Sequence, residues 1–239
     1  MSRLVLLSGW GCDARLWQPL AEYWPGRRKE KVEVSAPDWP GYGSRPALED
    51  PEDLAALAEA MAEDLPAEAV WVGWSLGGLL AAALLDHLPA PRGLVLLGMG
   101  ARFCDPEGIT PEALATFRDA FHRDPEATRA HFLRWQLRGE PAPRSAHRRL
   151  LDLLGPEPAA PTATLAAGLG QLAAIDNTAR LAEPPCPVWR IAGEHDPLLA
   201  PSAREAADVR LAQAGHAPML SQPRALAECL AAIALESAP

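Results

Sequence analysis

In Val70-Trp71-Val72-Gly73-Trp74-Ser75-Leu76-Gly77-Gly78-Leu79-Leu80-Ala81 a strand gives way to a helix across a single serine. The apolar run predicts a strand over Ala69–Val72, and the apolar spacing after Ser75 predicts a helix over Leu76–Leu88. Between them stands G-x-S-x-G. A turn this sharp needs small residues around it, and it holds Ser75 Oγ clear of the backbone. The helix that follows aims its N-terminal N–H groups and positive dipole end at the same spot.

Outward from this turn, strands and helices alternate. Leu4–Leu7, Val32–Val34 and Leu94–Leu97 read as further strands, and Leu16–Trp24 and Leu54–Leu65 have helical spacing. Ala36–Gly43 is a loop by its Pro and Gly punctuation. Alternation at this spacing predicts an α/β protein with a mostly parallel sheet. From Arg102 to Arg180 the alternation stops, and the chain reads as helical with breaks at Gly139–Pro143 and Gly155–Pro161. Strands resume at Val188–Ala192 and, weakly, at Val209–Leu211, and a helix over Arg224–Ala234 follows. The expected organisation is a core of residues 1–101 and 181–239 interrupted by a helical insertion, 102–180.

Composition narrows the possible functions. With 239 residues, 49% of them apolar and 22% charged, the chain has the make-up of a globular domain. A net charge of −9 argues against binding nucleic acid or an anionic membrane surface. Apolar runs are too short for a membrane span. Cys12, Cys104, Cys186 and Cys229 lack C-x-x-C spacing, so no metal or redox motif is supported. Free thiols in the cytoplasm are the expectation. The only lysines, Lys29 and Lys31, stand outside any phosphate-binding loop, and neither Gly9-Trp10-Gly11 nor Gly168-Leu169-Gly170 has the context of a dinucleotide fingerprint. No cofactor is implied.

A serine hydroxyl needs a base to act as a nucleophile. Of six histidines, His216 lies in Ala214-Gly215-His216-Ala217-Pro218, a loop after the last strand, where open α/β sheets place their sites. The base needs an acid on its far nitrogen. Asp196, in the Gly193–Pro197 loop after the preceding strand, is the natural candidate, and Glu194 is its competitor. An oxyanion would be held by the main-chain N–H groups of Leu76, after the nucleophile, and Trp10, between two small residues. Ser75, Asp196 and His216 in this order, each beyond a strand, predict acyl transfer to water.

The chain resembles the α/β-hydrolases and, within them, BioH-like pimeloyl-acyl-carrier protein methyl ester esterases of biotin synthesis. The resemblance rests on LVLLSGWG (4–11) with Trp17, APDWPGYGSRP (36–46), the serine segment, FLRWQ (132–136), GEHDPL (193–198) and AGHAPMLSQP (214–223). It implies an α/β-hydrolase fold with a helical lid, Ser75, Asp196 and His216 as the catalytic set, and Trp10 and Leu76 at the oxyanion. It also implies substrate contact from Phe132, Leu133, Arg134, Trp135 and Gln136. Two departures stand out. Ser8 occupies a position where most relatives have histidine, and the antiparallel edge strands usual before the first strand are missing, so about six strands are expected. A broad carboxylesterase or thioesterase, a MenH-like lyase and a catalytically silent hydrolase fold are the alternatives.

The insertion has a charge of its own. Between Arg118 and Arg149 stand eight arginines against Asp119, Asp124, Glu126 and Glu140, in a chain that is acidic overall. Arg144, Arg148 and Arg149 are candidate contacts for acyl-carrier protein, an acidic partner whose phosphate arginine binds well.

Overall fold

The computed structural model describes residues 2–24 and 32–237; Lys29 and Lys31 lie outside them. β1 (Ser2–Leu7), β2 (Val32–Ser35), β3 (Val70–Trp74), β4 (Gly93–Leu97), β5 (Val188–Gly193) and β6 (Val209–Leu211) form one sheet. Its order is β2-β1-β3-β4-β5-β6, with every neighbouring pair parallel. Helices α1 (Leu54–Met61) and α2 (Leu76–Ala83) flank β3 in the chain. Four helices occupy the chain between β4 and β5: α3 (Pro111–Arg123), α4 (Pro125–Trp135), α5 (Pro143–Leu154) and α6 (Thr162–Ala174). The short α7 (Pro201–Glu205) and α8 (Pro218–Ser221) and the longer α9 (Pro223–Glu236) follow the last two strands.

Side chains alternate across the sheet, and both faces are buried, which is why β1, β3 and β4 read as unbroken apolar runs. Val5, Leu7, Trp71, Leu94 and Leu96 pack on one side with Leu57 and Met61 of α1 and Leu79 of α2. Leu4, Leu6, Val70, Val72, Val95 and Leu97 pack on the other with Leu16, Trp17, Leu226 and Leu230. Truncating one of these leucines to alanine costs about 2–5 kcal/mol. The inserted helices join both cores: Leu114, Phe121 and Leu165 the first, and Leu133, Ala146, Leu150 and Leu154 the second.

Three helices differ from their expected form. The helix expected over Leu16–Trp24 is instead a 3₁₀ helix, Ala14–Tyr23, with Pro19 inside and Trp24 extended beyond it; a proline that cannot donate disfavours the α-helical ladder. The helix after Ser75 is α-helical to Ala83 and ends in a 3₁₀ turn, Leu84–Asp86. The helix expected over Leu54–Leu65 stops at Met61. Among the described residues no helix is long and apolar enough to cross a membrane.

Candidate active site

Ser75 sits between β3 and α2 with φ 54° and ψ −127°, a conformation that L-residues rarely adopt. Packing enforces it. Ser75 N–H donates to the Leu97 carbonyl at 2.9 Å, tying the turn to the end of β4. A Cβ on Gly73 would lie 2.3 Å from Gly78 Cα, so strand and helix approach as closely as they do because both residues are glycine. The first amides of α2, starting with Leu76, have no partner within the helix, which is general at helix N-termini.

Asp196 and His216 are almost entirely buried, at 0% and 1% exposure. Asp196 Oδ2 lies 2.8 Å from His216 Nδ1, and Asp196 Oδ1 accepts from Leu198 N–H at 2.8 Å. A carboxylate on Nδ1 selects the tautomer whose Nε2 lone pair is free. His216 Nε2 is buried and has no hydrogen-bond partner among the described residues. Trp74, the residue before Ser75, donates its indole N–H to the His216 carbonyl at 2.6 Å, and its ring lies 5.1 Å from the imidazole. Glu194 is exposed and turns elsewhere: its Oε2 accepts from Gln213 N–H at 3.3 Å and lies 3.7 Å from His195.

The loop after β1 packs directly on Ser75. Ser8 Oγ donates to the Asp13 carbonyl at 2.9 Å and accepts the Trp17 indole N–H at 3.0 Å, so the serine in the expected histidine position bridges the loop to the 3₁₀ helix. The segment after β2 holds the same loop from the other side. Trp39 donates to the Ser8 carbonyl at 2.9 Å, and the Tyr42 hydroxyl accepts Gly11 N–H at 3.3 Å. Burial pushes the Tyr42 phenol up. Burial, with the Asp13 charge second, pushes the Cys12 thiol up to about 12, so that thiol stays protonated. The Trp10 side chain is buried, and its indole donates to the Leu165 carbonyl at 2.7 Å.

Next to Trp10 opens a cavity of about 190 Å³ whose walls include Phe103, Phe117, Phe132, Trp135 and Leu169. Edge-to-face contacts join Trp10 to Phe117, Phe121 and Phe132 at centroid distances of 5.9, 5.6 and 5.2 Å. Exposed Ala113 and His131 stand where the cavity meets solvent, and His131 is its one titratable wall residue. Of the 132–136 segment, Phe132 and Trp135 line the cavity, Leu133 is buried in the core, Arg134 is exposed, and Gln136 is buried. On α5, Arg144 and Arg148 are exposed and share one shallow surface hollow, while Arg149 donates to the Leu220 carbonyl at 3.0 Å. Among the described residues no cluster of three or more His, Cys, Asp or Glu side chains could hold a metal ion.

Sequence reasoning missed Trp39, Tyr42, Trp74 and Glu140, whose carboxylate accepts from Gly215 and Ala217 on either side of His216. The first two could have been suspected, as aromatics in a Pro/Gly loop beyond a strand end. Trp74 lay inside the motif, but a partner 142 residues away leaves no local signal.

A wholly parallel sheet with a strained serine turn and a buried His–Asp pair at one end is the arrangement of a hydrolase, and the chain belongs to the alpha/beta hydrolase family, which residues 4–229 match. Two relatives narrow the likeness. A pimeloyl-acyl-carrier protein methyl ester esterase of Aromatoleum aromaticum is 36% identical over 238 residues, covering 92% of this chain and 93% of that one. A protein of the same name from Vibrio vulnificus is 30% identical over 245 residues, covering 97% and 93%. Among solved structures, an esterase from Exiguobacterium antarcticum superposes with a TM-score of 0.80 at 17% identity, over 98% of this chain and 92% of that one.

Proposed function

We propose that the chain is a serine esterase that hydrolyses the methyl ester of a pimeloyl group carried on acyl-carrier protein. The observation that carries the chemistry is the buried Asp196–His216 pair, with one imidazole nitrogen bonded to the acid and the other free, clamped by Trp74 beside Ser75. Ser75 Oγ attacks the ester carbonyl carbon as its proton passes to His216 Nε2. The main-chain N–H groups of Trp10 and Leu76 hold the oxyanion. Collapse breaks the bond to the methoxy oxygen, which takes the proton from His216 and leaves as methanol. Water then adds to the acyl-enzyme, giving its proton to His216. The second collapse returns that proton to Ser75 and releases the free acid. Asp196 orients the imidazole and stabilises its charged form throughout. Hydrogen bonds of this kind are often loose before substrate binds.

The names of the two relatives support the substrate, and the cavity agrees with it. At roughly 30 Å³ per water-sized group, 190 Å³ holds about six such groups, enough for the methylenes of a seven-carbon chain. The aromatic walls offer such a chain apolar contact, with His131 at the mouth. Arg144 and Arg148 support an acidic carrier as the partner; Arg149 is already engaged with Leu220. Four free cysteines suit a reducing, cytoplasmic setting.

The test is a hydrolysis panel comparing the carrier-bound pimeloyl methyl ester with short p-nitrophenyl esters, run on wild type and Ser75→Ala. The carrier-bound ester should have the higher kcat/KM, and Ser75→Ala should abolish turnover of both. A preference for the short esters would make the chain a general carboxylesterase. Turnover by Ser75→Ala within tenfold of wild type would move the nucleophile elsewhere.

A further inference from the structure

One buried carboxylate has no part in the steps above. Glu140 lies in the connection between α4 and α5 and is 4% exposed. Burying a carboxylate is costly unless its oxygens are satisfied. Both are: Oε2 accepts Gly215 N–H at 3.0 Å, and Oε1 accepts Ala217 N–H at 2.7 Å. These are the residues immediately before and after His216. The two bonds are charge-assisted, which makes them roughly twice as strong as neutral ones. They fix the 216–217 peptide, directly after the histidine Cα, and the 214–215 peptide, one residue before it.

The neighbouring residue grips the other loop of the pair. A Cβ on Gly139 would fall 1.8 Å from the carbonyl oxygen of His195, so the α4–α5 turn closes onto the segment carrying Asp196 because position 139 is glycine. On the far side of the His216 loop, Arg149 holds the Leu220 carbonyl. The turn therefore touches the loop of the acid and clasps the loop of the base.

We propose that Glu140 is a positioning residue for His216: its carboxylate holds the backbone on both sides of the histidine so that Nδ1 stays on Asp196 and Nε2 is aimed at Ser75. The proposal rests on the Ser75–His216–Asp196 reading of the site. A carboxylate that only fastened the turn to the core would affect stability alone. A positioning carboxylate changes the rate at each intact site, because a displacement of about 1 Å at a catalytic group costs on the order of 10²-fold.

The test measures hydrolysis of p-nitrophenyl acetate per active site, with sites counted by fluorophosphonate titration, in Glu140→Gln and Glu140→Ala. Gln has nearly the same shape but turns an NH₂ group toward one of the two amides. Expected is a fall in kcat per titrated site of about tenfold for Gln and on the order of 10²-fold for Ala, with KM within twofold. Glu140→Gln keeps the test decisive if the alanine variant does not fold. The same substitution in a His216→Ala background should change the residual rate by less than about twofold, since residues acting through one group are not additive. Fewer titratable sites or a lower Tm, with kcat per site unchanged, would reduce Glu140 to a structural fastener and overturn the proposal. So would a full additional loss in the His216→Ala background. If His216→Ala alone stays within tenfold of wild type, the catalytic reading itself fails, and this is seen without any Glu140 variant.

Discussion

Ser75, Asp196 and His216 stand beyond the C-terminal ends of β3, β5 and β6 and are 5%, 0% and 1% exposed, whereas Ala113, His131, Arg144 and Arg148 ride on α3, α4 and α5 and face solvent. The first group is held by bonds to main chain and to one another: Ser75 to Leu97, Asp196 to Leu198 and His216, and His216 to Trp74. The second stands on the exposed faces of the helices that carry it. Reacting groups need placement to a fraction of an ångström, and the ends of a rigid sheet supply that. Choosing a substrate needs a wall and a surface, which exposed helical positions provide at little cost to stability.

Substitutions should therefore divide by region. The largest effect belongs to the strand ends: Asp196→Asn should lower kcat by about 10⁴, because an amide on Nδ1 selects the wrong imidazole tautomer. Glu194→Gln, on an exposed side chain facing Gln213, should stay within about twofold, since exposed surface substitutions change little. A reversed order in steady-state assays would exchange the two acids. An intermediate effect belongs to the cavity. Ala113→Trp adds bulk from an exposed helix position and should lower kcat/KM for a seven-carbon methyl ester by about tenfold, the scale on which a pocket discriminates chain length, while acetate esters stay within twofold. An acyl-chain series reads this directly, and equal losses across the series would separate the cavity from the acyl site. The smallest effect belongs to the charged face. Arg144→Glu with Arg148→Glu should reduce kcat/KM for the carrier-bound ester severalfold at low salt, with the loss shrinking as salt is added and a small soluble ester unaffected. Identical losses on both substrates would mean a damaged insertion rather than a lost docking surface.

The same division governed what could be read before the fold was known. Strands β1, β3 and β4 were legible because a strand buried on both faces is an unbroken apolar run, and Ser75 was legible because its turn demands glycines at fixed offsets. Asp196 and His216 followed from their places after strands. The 3₁₀ form of Ala14–Tyr23 was not legible, since apolar spacing over ten residues separates the two helix types poorly and Pro19 decides between them. Glu140 was the deeper omission. In a segment rich in arginine it reads as one more surface charge. Its burial and both of its bonds depend on residues 75 and 77 positions away, which no local window contains.

The Trp74–His216 bond spans 142 residues, while the serine turn joins β3 to α2 and is tied to Leu97 at the end of the next strand, β4. The two halves of the site thus differ in the loop entropy that must be spent to form them. A partly folded chain in which β3, α2 and β4 have come together holds the bond that fixes the serine turn, yet it has no imidazole beside it. His216 reaches Trp74 only where the chain beyond β6 has turned back toward the end of β3. On the proposed reading hydrolysis therefore depends on a long-range closure, so a fold that lacks it presents no reactive serine to the esters around it.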